Sequence, residues 1–179
     1  PESGPTSRWL SEQARRIGAV ITGSLIIQAA DGSYRNRLLW ARPDGSQSFY
    51  DKRHLFRMAG EHKHYSAGEQ QVLLEVKGWQ VRPLICYDLR FPVWSRSRGD
   101  YDLLIYVANW PQRRAHAWVT LLKARAIENL KKLKPSPLGV ASDADLIGQA
   151  NYEEHLEQLK DCDLIIEAVF EEMGVKEQV

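Results

Sequence analysis

The sequence predicts an α/β protein in which helices pack on a sheet and some neighbouring strands pair as hairpins. Short β-branched or apolar runs alternate along the first 130 residues with stretches that place apolar side chains at helical spacing. Turn signals such as Asp31-Gly32 and Pro43-Asp44-Gly45 separate extended runs. The continuous apolar run within Asp102–Ala108 is typical of a buried strand.

The first predicted helix spans Thr6–Arg16. It follows a proline, Thr6 or Ser7 can cap it, and Leu10 and Ala14 recur at helical spacing. The elements predicted after it are strands at Ala19–Gln28, Asn36–Arg42 and Ser48–Asp51, a hairpin of Val72–Val76 and Trp79–Cys86, a strand at Asp102–Ala108 and a helix at Arg114–Asn129.

The end of the chain is predicted to hold four shorter elements. A helix end at Leu130–Lys134 stops at a proline, and Asn151 caps a helix that runs to about Lys160. Asp163–Val169 is predicted to be a buried strand, and Glu172–Gln178 a helical end.

Residue usage changes sharply near residue 128. All fifteen Arg and all six Trp lie in residues 1–127, where 19 Lys and Arg face 11 Asp and Glu for a net charge of +8. Residues 128–179 hold 5 Lys against 12 acidic residues, a net charge of −7. Such a shift indicates a domain boundary, and we place two domains at 1–129 and 130–179. A single basic domain with an acidic tail helix is the alternative.

The overall composition excludes several classes of protein. The 179 residues, 44% of them hydrophobic and 26% charged, correspond to an average globular chain of about one domain or slightly more. No apolar run approaches the roughly 18 residues that span a bilayer, and a net charge of +1 argues against nucleic-acid or membrane partners. Two cysteines favour a reducing, cytoplasmic location. Because the sequence does not begin with Met, we expect it to be part of a longer chain.

Cys86 is the first candidate reactive residue, because it ends a predicted strand and a turn follows it. Strand ends of α/β sheets display nucleophiles, with backbone N–H groups directed at the reacting atom. Lys52 also ends an extended run, and an ammonium group beside a thiol lowers the thiol pKa and can bind an oxyanion. From the residues alone, an inert buried thiol and a solvated loop lysine remain open alternatives.

Several motifs of the first 129 residues occur in an order that resembles the nitrilase (carbon–nitrogen hydrolase) superfamily. They are Asp51-Lys52-Arg53-His54-Leu55-Phe56, Gly60-Glu61, Ala67-Gly68, Ile85-Cys86-Tyr87-Asp88-Leu89-Arg90-Phe91-Pro92, Asn109-Trp110-Pro111 and Ala124-Arg125-Ala126-Ile127-Glu128-Asn129. Phe91–Arg96 resembles the omega-amidase-like branch, which hydrolyses small linear ω-amides such as 2-oxoacid amides. The resemblance implies a partial nitrilase-like α-β-β-α sandwich, followed by a partial Rossmann-type fragment.

The resemblance also implies roles for four residues. Cys86 would be the nucleophile that forms a thioester, and Lys52 would bind the oxyanion of the tetrahedral intermediate together with the backbone N–H of Tyr87. Glu61 would position the substrate or Lys52. The implied partners are a small-molecule amide substrate and a second copy of the chain, since the family dimerises through helices near the cysteine.

Two departures from the family pattern lead to further expectations. The family takes its general base from a Glu on an early strand, and neither Glu2 nor Glu12 matches that motif, so we expect impaired activity. The absence of that strand should also leave an apolar sheet edge open.

The remaining polar residues of this region are expected to be structural. His62 and His64 could suggest metal ligands, but the surrounding charge and the nearby glycine favour a solvated loop. The resembled family also needs no metal, and we expect no organic cofactor. Asp88 and Arg90 are expected to form an ion pair behind the cysteine turn.

Residues 128–179 resemble a different family, the NAD-binding domain of 3-hydroxyacyl-CoA dehydrogenases. The motifs are Glu128–Lys134, Asn151–Leu156 and Asp161–Glu171, and Glu171 and Lys176 match positions that contact NAD. No two of the twelve glycines are two residues apart, so the G-x-G-x-x-G phosphate loop is missing. An NAD-dependent dehydrogenase fragment and a non-catalytic chimeric fragment are therefore the alternative functions.

Overall fold

The computed structural model describes residues 4–130 and 164–166. The elements are helix α1 (Pro5–Ile17), strands β1 (Val20–Gln28), β2 (Tyr34–Ala41), β3 (Gln47–Asp51), β4 (Leu74–Val76) and β5 (Trp79–Ile85), the one-turn helix α2 (Pro92–Ser95), strand β6 (Leu103–Val107), helix α3 (Ala115–Leu130) and strand β7 (Leu164–Ile166). Short 3-10 turns occupy Arg57–Ala59, Glu61–Lys63, Cys86–Arg90 and Gln112–Arg114.

Every element predicted between residues 6 and 129 is present, with ends within two residues of the prediction. The α2 turn was not predicted, because four residues are too few to show helical periodicity. Strand β7 lies inside the strand predicted at 163–169. The helices predicted at 151–160 and 172–178 lie outside the described residues, as does all but the first residue of 130–134.

The strands form two sheets. The first has the order β3-β2-β1-β7, and the second has the order β4-β5-β6. The pairs β1–β2, β2–β3 and β4–β5 are antiparallel, as their short connecting turns require. The longer connection between β5 and β6 allows these two strands to run parallel.

The hydrophobic core lies between the two sheets. The side chains of β2 show how it forms, because they point alternately to the two faces of the first sheet. Leu38 and Trp40 are fully buried towards the second sheet, where Leu38 packs with Leu84 and Trp40 packs with Val81. Successive side chains of a strand point to opposite faces, so Leu39 lies on the outer face. Both faces of β2 are therefore covered.

Helices cover the outer faces of the sheets. On α1, Leu10 and Ala14 pack against Leu39 of the first sheet. On the other side, Trp118 of α3 meets Tyr106 of β6 edge to face, with ring centroids 6.3 Å apart. The described residues thus form the α-β-β-α layers that the family resemblance implies. None of the helices described is long and apolar enough to cross a bilayer.

One edge of the first sheet differs from the expectation. Strand β7 pairs in parallel with β1, with Val20 opposite Leu164 and Thr22 opposite Ile166. The edge expected to stay open is therefore covered along Val20–Thr22 by a strand of the acidic segment. A paired backbone edge cannot template pairing with another chain over that stretch.

The core between the sheets should dominate the stability of this fold. We expect Leu84→Ala to lower the free energy of unfolding by roughly 2–5 kcal/mol, because Leu84 is 1% exposed and its loss leaves a cavity. Leu103→Ala is the matched control, since Leu103 on the neighbouring strand is 39% exposed and should cost well under half as much. Urea unfolding followed by tryptophan fluorescence measures both, and equal costs would contradict this assignment of the core.

Candidate active site

Cys86 lies at the point where β5 ends and a 3-10 turn begins, and its backbone is in the left-handed region with φ of +43°. For a residue other than glycine this conformation costs about 1–3 kcal/mol and persists only where the surroundings enforce it. It turns the side chain out of the strand. The thiol lies 4.0 Å from the carbonyl oxygen of Asn109, to which it donates.

The turn is held by the buried carboxylate of Asp88. Its Oδ2 accepts hydrogen bonds from the Tyr50 hydroxyl (2.8 Å) and the Ile85 backbone N–H (3.1 Å). Its Oδ1 accepts from the backbone N–H of His54 (2.9 Å) and lies 2.7 Å from that residue's Nδ1. Burial and the neighbouring Asp88 charge both raise the pKa of Tyr50, so the phenol stays protonated and donates.

The expected ion pair between Asp88 and Arg90 is wrong. The carboxylate of Asp88 points into the core towards Tyr50 and His54. Arg90 is exposed on the other side of the turn, where its guanidinium carbon lies 5.7 Å from the centre of the Trp110 ring. Asp88 and Arg90 are two positions apart in a helical turn, and side chains at that spacing face different sides. Their nearness in the sequence therefore did not indicate a contact.

Lys52 is 2% exposed and forms a bidentate ion pair with Glu61. Its Nζ lies 2.8 Å from both carboxylate oxygens, and Glu61 Oε2 also accepts from the backbone N–H of Phe56 at 2.7 Å. A buried ammonium group requires such a partner, because an uncompensated charge in the interior costs several kcal/mol. The loop alternative for Lys52, a solvated side chain, is therefore excluded.

The backbone around Lys52 is held by Gly68. The Gly68 N–H donates to the Lys52 carbonyl oxygen at 2.8 Å, so the two chain segments lie side by side. A Cβ at position 68 would overlap the backbone of Asp51, with its carbonyl carbon only 2.8 Å away. Glycine is required here for close approach of the backbones.

Two cavities meet at Cys86 and Asn109. The lysine cavity, of about 400 Å³, is lined by Asn36, Lys52, Glu61, His64, Cys86 and Asn109, together with apolar residues of β1, β5 and β6. The arginine cavity, of about 420 Å³, is lined by Phe56, Met58, Cys86, Tyr87, Arg90, Asn109, Trp110, Pro111 and Arg114. The thiol is thus accessible from both sides.

The groups around Cys86 have opposite effects on the pKa of its thiol. Burial raises the pKa of the Cys86 thiol, and the carboxylates of Glu61 and Asp88 add to the rise. The ammonium group of Lys52 and a hydrogen bond from the Tyr87 backbone lower the pKa of Cys86, but burial prevails. The thiol is therefore protonated near neutral pH, and a reaction that uses the thiolate needs a proton acceptor.

The structure brings three of the predicted site residues to one place. Cys86, Lys52 and Glu61 line the lysine cavity, and Tyr87 lines the arginine cavity together with Cys86. Glu171 and Lys176, proposed to contact NAD, lie outside the described residues.

Sequence reasoning from single residues missed several contributors to the site. Asn109 and Trp110 were noted only as part of a motif, and the apposition of Tyr50 and His54 on Asp88 was not expected. No local signal in the sequence marks these contacts, because they join residues 34 or more positions apart. Among the described residues, no group of three or more His, Cys, Asp or Glu is placed to hold a metal ion.

Comparison with known families gives two matches. Residues 1–131 match the family described as carbon-nitrogen hydrolase. Residues 111–179 match the family described as 3-hydroxyacyl-CoA dehydrogenase, NAD binding domain, so the two matched ranges overlap within α3. Both families agree with the resemblances identified from the motifs.

Individual relatives of the chain are amidases, in keeping with the match to the carbon-nitrogen hydrolase family. The chain is 56% identical over 121 residues to the omega-amidase YafV of Escherichia coli, covering 68% of this chain and 47% of that protein. It is 35% identical over 124 residues to the 2-oxoglutaramate amidase of Bacillus subtilis, covering 68% of this chain and 48% of that protein. The chain thus spans about half the length of the curated relatives it matches.

A solved structure of the same superfamily resembles the fold of this chain. The fold superposes with a TM-score of 0.70 on XC1258 from Xanthomonas campestris, a CN-hydrolase superfamily protein whose crystal structure carries an arsenic adduct in the active site. The two sequences are 53% identical, and the match covers 72% of this chain and 51% of that one.

The charges around Cys86 should be visible in its alkylation by iodoacetamide. We expect the rate of Cys86 modification in a Cys162→Ser background to rise with pH with a midpoint above the ordinary thiol value of about 8.5. Lys52→Met should raise this midpoint, because it removes a positive charge that favours the thiolate, and Glu61→Gln should lower it. Rates are measured by quantitative mass spectrometry between pH 6 and 11.

Lys63→Met provides the control for these variants, since Lys63 is exposed on the turn beside Glu61. It should leave the midpoint unchanged. A midpoint in the parent chain below the ordinary thiol value, or no separation between Lys52→Met and Lys63→Met, would show that the described surroundings do not govern the thiol.

Proposed function

This chain belongs to the carbon–nitrogen hydrolase family, and we propose that it carries the nucleophile and oxyanion-binding groups of a hydrolase for small linear amides, of the omega-amidase type. The observation that supports this most directly is the meeting of a strained strand-end cysteine, Cys86, with the buried pair of Lys52 and Glu61 in one cavity. Such a combination places a thiol and a fixed cation around the same reacting carbon.

In the proposed reaction the thiolate of Cys86 attacks the amide carbon, and the carbonyl oxygen becomes an oxyanion. Lys52 and the backbone N–H of Tyr87 stabilise this charge. The carbon–nitrogen bond breaks, the nitrogen takes a proton and leaves as ammonia, and the acyl group remains on sulfur as a thioester. Water then hydrolyses the thioester to the carboxylic acid and restores the thiol.

The proton of the thiol needs an acceptor, because burial keeps Cys86 protonated. Glu61 is poorly suited to this task, since its oxygens already accept from Lys52 and from the Phe56 N–H. Glu12 is exposed on α1, on the outer face of the first sheet. We propose that Glu61 positions Lys52, and that turnover by this chain is impaired, because Glu61 is the only glutamate among the described residues that lines either cavity at Cys86.

The proposed substrate class is based on the names of the similar proteins. Proteins similar to this chain are named omega-amidase and 2-oxoglutaramate amidase, which supports a small amide with its reactive group at one end. The chemistry uses a thiol, an ammonium group and backbone N–H groups, so the proposal includes neither a metal nor an organic cofactor. A thiol nucleophile must stay reduced, which supports a cytoplasmic location.

We further propose that the chain assembles as a homodimer through the region next to the cysteine turn. Val93 on α2 is 74% exposed although it is a large apolar side chain. A second copy of the chain would bury this side chain in the arrangement that the family resemblance implies, in which dimers form through helices near the cysteine.

A second candidate function comes from the match of residues 111–179 to the NAD-binding family. On this proposal the chain has a second domain at 130–179, in which Glu171 and Lys176 contact the cofactor. The missing G-x-G-x-x-G loop weighs against it, because that loop and the helix after it supply the backbone N–H groups that hold the pyrophosphate. We therefore expect calorimetric titration with millimolar NAD to produce no binding heat. A saturable heat lost in Glu171→Ala would establish the second function instead.

Hydrolysis of a small amide tests the first function. We expect slow ammonia release from succinamic acid, the monoamide of a four-carbon dicarboxylic acid, and trapping of an acyl group on Cys86 detectable by mass spectrometry. Cys86→Ala should abolish both, and Lys52→Met should lower the acylation rate by about 100-fold or more, because it removes an oxyanion donor.

Cys162→Ser is the matched control, because the other cysteine has no part in the proposed reaction. It should keep both ammonia release and acylation. Acylation that persists in Cys86→Ala, or full activity in Lys52→Met, would refute the assignment of these residues.

A further inference from the structure

The lysine cavity contains a carboxamide whose oxygen is unpaired in the part of the chain that the structure describes. Asn36 on β2 lines this cavity, and its Oδ1 is buried without a hydrogen bond from any described residue. Of the described buried side-chain polar atoms that lack a partner, Asn36 Oδ1 is the one whose residue lines a cavity at Cys86. Buried polar atoms are seldom left unpaired, because removing them from water is costly. Asn36 Oδ1 is therefore a candidate acceptor for a ligand.

Strand pairing places this carboxamide beside Lys52. In the register of β2 and β3, Arg37 lies opposite Asp51, and the backbone N–H of Lys52 donates to the Asn36 carbonyl oxygen at 2.9 Å. Alternate residues of a strand share a face, so Asn36 points between the sheets on the same side as Leu38. Side chains opposite each other on one face have their Cβ atoms about 4.5–5.5 Å apart. The acceptor oxygen and the ammonium group thus belong to neighbouring side chains of one cavity wall.

The two side chains suit different atoms of a ligand. The ammonium group of Lys52 attracts an oxygen that carries negative charge, whereas Asn36 Oδ1 accepts from a donor only. Glu61 also lines the cavity, but its oxygens already accept from Lys52 and from the Phe56 backbone N–H. A primary amide carries a carbonyl oxygen and two N–H donors on one carbon, so it complements both side chains at once.

We propose that Asn36 is a specificity-determining residue, whose Oδ1 accepts a hydrogen bond from the NH₂ group of a primary amide while the amide carbonyl oxygen lies towards Lys52. This rests on the proposed amidase function for the identity of the reacting group. A ligand of the same shape that lacks the N–H leaves the oxygen unpaired, and a site built around a hydrogen bond discriminates against such a ligand. The chain therefore prefers primary amides to the corresponding ketones and esters.

Protection of the Cys86 thiol tests this contact without turnover. Succinamic acid and 4-oxopentanoic acid share their shape and their carboxylate, and a methyl group replaces the amide NH₂ in the second. Each ligand is titrated against methyl methanethiosulfonate, which transfers its methylthio group to the thiolate and releases methanesulfinate. Mass spectrometry in a Cys162→Ser background gives the ligand concentration that halves the rate at Cys86, and it counts any acylated Cys86 separately.

We expect the parent chain to bind the amide about three- to tenfold more tightly than the ketone, which is the contribution of one hydrogen bond. Asn36→Leu should remove this preference, because leucine has a similar size and no acceptor. Asn36→Asp keeps an acceptor oxygen in the same place and should keep the preference. The charge it adds acts on both ligands alike, so its effect cancels in the ratio of the two concentrations.

Gln28→Leu is the matched control, because Gln28 is an exposed carboxamide at the end of the neighbouring strand β1 and lines neither cavity. It should keep the preference of the parent chain. Equal ratios in Asn36→Leu and Gln28→Leu would overturn the role of Asn36, as would a parent chain that shows no preference or no protection by either ligand.

The outcome is separable from that of the proposed function, since protection requires no hydrolysis. A preference for the amide that disappears in Asn36→Leu, in a chain that releases no ammonia, would sustain the role of Asn36 and refute the amidase function. Ammonia release together with an unchanged preference in Asn36→Leu would sustain the amidase function and refute the role of Asn36.

Discussion

The buried carboxylate of Asp88 is the constraint on which the geometry of the candidate site depends. Its side chain is 0% exposed, and burying a charge costs several kcal/mol unless hydrogen bonds replace the lost water. The compensating groups belong to Tyr50 at the end of β3, to His54 in the loop after it, and to Ile85 at the end of β5. One side chain thus links the first sheet to the second at the point where Cys86 leaves the strand.

The same region stabilises the strained backbone of Cys86. The ring of His54 stacks on Phe91 with centroids 3.7 Å apart, and it meets Trp94 edge to face at 5.9 Å. This packing encloses the turn that follows the cysteine, so the positive φ is maintained by contacts outside the residue itself. The loop that carries Lys52 therefore cannot move relative to the thiol without breaking the aromatic cluster.

The order of the elements could be predicted because it depends on local patterns. Leu10 and Ala14 recur at helical spacing, and the turn at Asp31-Gly32 sets the first hairpin. The cysteine turn and the lysine were identified from their positions at strand ends and from motifs that occur in family order. The roles of Cys86 and Lys52 in a reaction stay predictions, whereas their meeting at one cavity is a property of the fold.

The chain by itself therefore determined which segments become helices and strands and which motifs stand at their ends, because periodicity and turn chemistry act over a few residues. Only the tertiary structure decided that Lys52 is buried against Glu61, that Asp88 faces Tyr50 rather than Arg90, and that β7 pairs with β1. These outcomes depend on which sheet faces meet and on how each buried charge finds a partner across the core. No local sequence pattern indicates these partners. A buried charge needs a partner because it has lost its water, and only the folded chain brings that partner near.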